Sequence, residues 1–108
     1  MDGECTPTEA AALLGSGDVQ LIDVRQREEH DAGRIAGDRL IELADLPAQA
    51  HTLDRDRLIL VYCRSGARSA MATTALRQAG YDARNVAGGL LDWTAAGLPI
   101  EPADGYVA

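Results

Sequence analysis

The chain has 108 residues, 46% of them apolar, and a formal net charge of −7 at pH 7. That length suits one α/β-sized domain over residues 1–108, able to bury a core without metals or disulfides. The negative balance suits a soluble protein and argues against nucleic acid as a partner, since neutralising phosphates needs a basic surface. No apolar run approaches the ~20 residues of a membrane helix.

In chain order, Met1-Asp2-Gly3-Glu4 is acidic and lacks the apolar segment of a secretory signal. A cytoplasmic protein is therefore expected, with Cys5 and Cys63 as free thiols. Thr6-Pro7-Thr8-Glu9 has the makings of a capped helix start, with Thr6 as cap, Pro7 in the first turn and Glu9 closing a capping box. Gly15 is expected to end that helix in a left-handed conformation. Val19 to Val24 reads as a buried parallel strand, with Asp23 and Arg25 at its carboxyl end.

Gln26 to Ala32 predicts a short charged helix ending at Gly33, and Gly33 to Gly37 is turn-rich. Arg39 to Leu43 predicts a short strand, and Asp45-Leu46-Pro47 starts a helix to about Thr52. Asp54 to Arg57 is a solvated, charged turn. Leu58 to Tyr62 is a continuous apolar strand that runs into Cys63. A helix opens at Ser69 and continues from Ala70 to Ala79, with Gly80 as its cap. Arg84 to Val86 is a short strand, and Leu90 to Ala96 a last helix. Alternating strands and helices with short connections predict an α/β domain, a central mainly parallel sheet flanked by helices. Ligands of such sheets bind beyond the carboxyl ends of the strands, where Cys63 falls.

The loop after Cys63 carries the chemistry. A cysteine becomes a nucleophile when a helix N-terminus and nearby arginines stabilise its thiolate. Arg64, Ser65, Gly66, Ala67, Arg68 and Ser69 supply both features. Successive N–H groups of such a loop can turn inward as an anion nest, and Gly66 lets the backbone curl. The nest would hold a thiolate or the terminal sulfur of a persulfide. An inert core thiol is the bland alternative, and an arginine-flanked loop is a poor place for one.

Tyr62-Cys63-Arg64-Ser65-Gly66-Ala67-Arg68-Ser69 resembles the active-site loop of the rhodanese (sulfurtransferase) family. Leu21-Ile22-Asp23-Val24-Arg25 is similar to that family's early Asp-Val-Arg strand, and Gly33-Arg34-Ile35-Ala36-Gly37 to its Gly-His-Ile-x-Gly turn. Gly80-Tyr81, Gly88-Gly89, Trp93 and Ala96-Gly97-Leu98-Pro99 resemble its closing segment. The resemblance runs from about Thr6 to Ile100. It implies the three-layer rhodanese fold and a thiosulfate sulfurtransferase type of enzyme. The Cys63 thiolate would take sulfur from an anionic donor, thiosulfate or a persulfide, and carry it as a Cys63 persulfide. A thiol, cyanide or a sulfur-carrier protein would accept it in a ping-pong cycle. No cofactor is implied. N–H groups from Arg64 to Ser69 would stabilise the persulfide, and Arg64 and Arg68 would hold the donor's oxyanion end.

Three other readings stand beside this one. A persulfide relay partner of a cysteine desulfurase or sulfur-carrier pathway would use the same Cys63 chemistry. A phosphatase or arsenate reductase would need arginine six positions after the cysteine, whereas Arg68 stands at the fifth. A non-catalytic binding module of this fold would often lack the cysteine.

Asp23 and Arg25 either support the active-site region or form a structural polar pair at a strand end; the second takes precedence because buried polar groups usually serve hydrogen-bond satisfaction. Arg34 and His30 depart from the family's usual histidine and aromatic. His30 and His51 are expected on surface or helix faces, and no His/Cys/Asp spacing suggests a metal site. Cys5 is expected in a short buried first strand, with a resolving thiol as the alternative. Trp93 is expected to anchor the last helix, and Gly88-Gly89 to make a tight turn before it.

Overall fold

A computed structural model describes residues 3–108, so the Met1-Asp2 part of the acidic start lies outside the described residues. Ten regular elements follow in chain order: β1 (Glu4–Cys5), α1 (Pro7–Gly15), β2 (Gln20–Asp23), α2 (Arg27–Ala32), β3 (Arg39–Leu40), α3 (Leu46–Gln49), β4 (Ile59–Tyr62), α4 (Ala67–Gln78), β5 (Ala83–Val86) and α5 (Gly89–Ala95). The five strands form one sheet in the order β1-β5-β4-β2-β3. Every neighbouring pair is parallel, as in Asp23 opposite Tyr62 and Val61 opposite Asn85.

The continuous apolar run of β4 has a simple cause. Side chains alternate across a sheet, and here both faces are covered. Ile59, Val61 and Cys63 join a core with Leu46, Ala72 and Leu76 from α3 and α4. Leu60 and Tyr62 join the opposite core with Ala10, Leu90 and Trp93 from α1 and α5. This is the expected helix–sheet–helix layering. Cys5 is buried in β1 and Trp93 anchors α5, its indole N–H donating to the Pro99 carbonyl at 2.8 Å.

The capping box forms as the sequence predicts: the Glu9 N–H donates to Thr6 Oγ1 at 3.1 Å, and the Thr6 N–H to Glu9 Oε1 at 2.8 Å. Other expectations shift. Gly15 lies inside α1, and the left-handed turn falls at Gly17, φ 76°. The strand expected over Arg39–Leu43 pairs only at Arg39–Leu40 before the chain turns into a 3-10 stretch at Leu43–Asp45. The helix expected to Thr52 is α-helical only over Leu46–Gln49, and Ala50–Thr52 tightens into a 3-10 turn. Its start is where expected, with Asp45 before it and Pro47 in its first turn, though Asp45 makes no side-chain cap.

The Asp54–Arg57 turn is not merely solvated. Arg55 lies over the Tyr81 ring, 4.2 Å from its centroid, and donates to the Ala79 carbonyl at 2.8 Å. Most consequentially, α4 begins at Ala67 rather than at Ser69. The loop between β4 and α4 is therefore short, and Ala67, Arg68 and Ser69 form the helix's first turn.

Candidate active site

Cys63 is the first residue beyond β4, and its side chain faces the start of α4. Gly66 caps that helix with φ 103°, a left-handed conformation that glycine adopts without a Cβ penalty. The turn directs donors onto the sulfur. The Gly66 N–H donates to Cys63 Sγ at 3.1 Å, the Ser69 N–H at 3.4 Å, and the Ser69 hydroxyl lies 3.3 Å away. Burial pushes the Cys63 thiol up, but these contacts, led by the Ser69 hydroxyl and joined by the Ser65 N–H, outweigh it and hold the thiol below its ordinary value.

The loop's carbonyls point the other way because α5 receives them. Leu90 donates its N–H to the Cys63 carbonyl at 2.9 Å, and Leu91 to the Arg64 carbonyl at 3.1 Å. Gly88 and Gly89 have φ of 74° and 60°, which brings the first turn of α5 onto the loop. The glycine pair is thus the expected tight turn, and it also braces the cysteine loop from behind.

Asn85 ties the loop from β5. Its Nδ2 donates to the Gly66 carbonyl at 3.2 Å, and its Oδ1 accepts from the Ser69 hydroxyl. That hydroxyl has one proton, so it serves Asn85 or the sulfur at any moment. Nothing in the sequence around Asn85 marks this role, because it depends on β5 lying beside β4.

The two loop arginines are both engaged. Arg68 makes a bidentate pair with Glu29 of α2, at 2.7 and 2.8 Å. Hydrogen bonding to Arg68 holds the Glu29 carboxyl down at about 2. Arg64 is exposed, and its Nε donates to the Ala108 carbonyl at 3.0 Å. Ser65 and Ala67 are exposed, whereas Gly66 and Ser69 are buried.

Asp23 and Arg25 are fully buried and paired at 2.8 Å. Arg25 also donates to the Gly33 carbonyl at 2.7 Å and lies over the Tyr62 ring, 5.3 Å from its centroid. Neither residue makes a hydrogen bond to Cys63, so their structural reading fits the geometry. His30 lies on a helix face, on α2, as expected, but that face turns inward. It is largely buried, with Nδ1 3.0 Å from Asp23 Oδ2 and 3.4 Å from Asp38 Oδ2. Tyr62 donates its hydroxyl to Asp38 at 2.6 Å. Burial, more than any neighbour, raises both Asp38 and Tyr62.

Ligand atoms of Asp23, His30 and Asp38 lie within 4.8 Å of one another, a grouping that sequence spacing did not suggest. The donor set fits a cation poorly. Arg25 already binds both Asp23 oxygens, and the Tyr62 hydroxyl already binds Asp38 Oδ2. The cluster is a hydrogen-bonded polar network beside the sheet's carboxyl edge, in which Arg25 Nη1 is buried without a hydrogen-bond partner.

Comparison with known proteins gives a consistent result. The family profile of the Rhodanese-like domain matches residues 6–96. An HTH-type transcriptional regulator of Mycobacterium tuberculosis is 42% identical over 89 residues, 80% of this chain but only 39% of that protein. A protein named sulfurtransferase from Allochromatium vinosum is 36% identical over 94 residues, 86% of this chain and 88% of that protein. The crystal structure of a rhodanese-related protein from Thermoplasma volcanium matches with TM-score 0.85 at 28% identity, covering 91% of this chain and 96% of that one.

Proposed function

The chain belongs to the rhodanese-like domain family, and from that premise we propose that it transfers a sulfane sulfur through a persulfide on Cys63. Family membership and the sulfurtransferase relative support sulfur transfer as the activity. The observation that carries the mechanism is the convergence of the Gly66 N–H, the Ser69 N–H and the Ser69 hydroxyl on one sulfur atom. Such a cradle favours the thiolate, and it favours the terminal anion of a persulfide for the same reason.

The cycle has two halves. The Cys63 thiolate attacks the outer sulfur of thiosulfate, the S–S bond breaks, and its electron pair leaves with sulfite. Alternatively, it attacks the outer sulfur of a persulfide RSSH; the S–S bond breaks, and the outer sulfur's proton passes to the departing thiolate, giving RSH. A thiol, cyanide or sulfur-carrier acceptor then attacks the outer sulfur of Cys63–S–S⁻ and restores the thiolate. Arg64, Ser65, Gly66, Ala67, Arg68 and Ser69 line the cradle, with Asp23 and Arg25 supporting the strand end beneath it. Residues 1–108 act in this reading as one domain of the cytoplasm, where both thiols stay free. No described helix is long and apolar enough to cross a membrane.

Two features weigh against phosphoryl transfer. Cys63 is only 1% exposed, and Arg68 is tied to Glu29 rather than turned over the sulfur. A tetrahedral oxyanion needs more room and a free guanidinium in line.

Intact-mass measurement after incubation with thiosulfate or glutathione persulfide tests the reading. Wild-type protein should gain one sulfur atom, and Cys63→Ser should gain none. A wild-type protein that stays unmodified with both donors would overturn it.

A further inference from the structure

The donor's charge is where the geometry says more than the family does. Arg68 stands at the rim of the cradle and is the natural contact for a donor's anionic end. In this fold its guanidinium is already matched: both Glu29 oxygens take it, at 2.7 and 2.8 Å. The carboxylate cannot readily swing away. Glu29 is the third residue of α2, and its Oε1 also accepts the Gln26 N–H at 3.0 Å, so a capping box fixes it independently of Arg68. With its carboxyl held down at about 2, Glu29 is an anion throughout the neutral range.

We propose that Glu29 sets donor selectivity by neutralising Arg68, so that the site favours persulfides of low charge over the thiosulfate dianion. The inference rests on Cys63 as the sulfur carrier. Thiosulfate brings two negative charges, and its sulfonate end stays outside the cradle when its outer sulfur enters. There it meets a closed Arg68–Glu29 pair on a protein whose net charge is −7. The exposed Arg64 is the remaining loop cation, and it is screened by solvent and shared with the Ala108 carbonyl. A persulfide RSSH carries its reactive sulfur with at most one charge, and that charge enters the cradle itself. The N–H groups there serve both donors equally, so the difference between them falls on the rim. The sulfur balance is the same for both donors, sulfite leaving in one case and RSH in the other.

The test compares kcat/KM for thiosulfate and for the persulfide of 2-mercaptoethanol, which has no charged group besides its persulfide, in wild type and in Glu29→Gln. Glutamine keeps an oxygen for Arg68 and for the Gln26 N–H while removing the charge. The thiosulfate-to-persulfide ratio should rise about tenfold, the order of effect that an uncompensated charge has on an ionic substrate. That gain should shrink as salt is added. The double variant Glu29→Gln/Arg68→Ala should lose it, which ties the effect to the freed guanidinium. A ratio that stays level or falls in Glu29→Gln overturns the proposal. So does a gain that persists without Arg68. Failure of the underlying reading looks different: wild type would then load sulfur from neither donor.

Discussion

A β-carbon on Gly89 would lie 2.5 Å from the carbonyl oxygen of Cys63. That distance is below any real contact, and the obstacle is backbone, which cannot swing aside as a side chain can. It links the first turn of α5 to the Cys63 loop. With the Cys63 and Arg64 carbonyls bound to α5, the loop's N–H groups are left facing the sulfur.

Gly89→Ala should therefore disturb the cradle as well as the fold. Its φ of 60° already strains an L residue, and the clash adds to that. A loss of about 2–4 kcal/mol in urea denaturation is expected. Sulfur loading of Cys63 should fall with it, measured under conditions where the variant is still folded. Full activity would mean that α5 does not brace the loop.

The hydrogen bonds to Cys63 predict the pH dependence of its reactivity. Because they hold the thiol below its ordinary value, the midpoint of its alkylation profile should lie below that of a free cysteine. Ser69→Ala removes the hydroxyl from these stabilising contacts, so the midpoint should move up. At neutral pH the rate should drop about tenfold, the worth of one hydrogen bond to a charged group. Peptide mapping separates this signal from Cys5, whose thiol burial pushes up. An unshifted profile in Ser69→Ala would remove that hydroxyl from the mechanism.

Arg68→Ala should raise the thiosulfate KM. The variant removes the guanidinium that neutralises Glu29 and so leaves an uncompensated carboxylate facing the donor dianion. An increase of roughly three- to tenfold is expected for one partly exposed ionic contact. Steady-state kinetics with cyanide as acceptor measures it, and an unchanged KM would show that charge at this rim does not act on the donor.

The same pair governs acid stability. Glu29 is held from 4.5 down to about 2 by Arg68 in the folded chain. A depressed carboxyl contributes stability that is complete above its unfolded value and disappears as pH falls through its folded value. That contribution should fade between pH 4.5 and about 2. Denaturation midpoints across this window should fall less steeply in Glu29→Gln than in wild type. Parallel slopes for the two proteins would contradict the assigned pair.

Local patterns were legible because their causes are local. The Thr6/Glu9 capping box lies within one turn, and it forms as the sequence predicts. The apolar run into Cys63 announces a strand covered on both faces, and β4 is such a strand. The start of α4 was harder to see: Ala67 and Arg68 read as loop, yet Gly66, in its left-handed conformation, caps the helix before them. His30 resisted for another reason. On a charged helix it looks like a surface residue, but α2 packs so that it meets Asp23 and Asp38.

The sequence by itself determined the candidate nucleophile and the length of the loop after it, since both reside in consecutive residues from Cys63 to Ser69. Only the tertiary structure decided what surrounds them. Glu29 meets Arg68 across 39 residues, and Asn85 reaches Ser69 across 16. These pairings depend on how helices and strands are laid side by side. No local pattern encodes them, because neither partner's neighbours in the chain need to change for the contact to form.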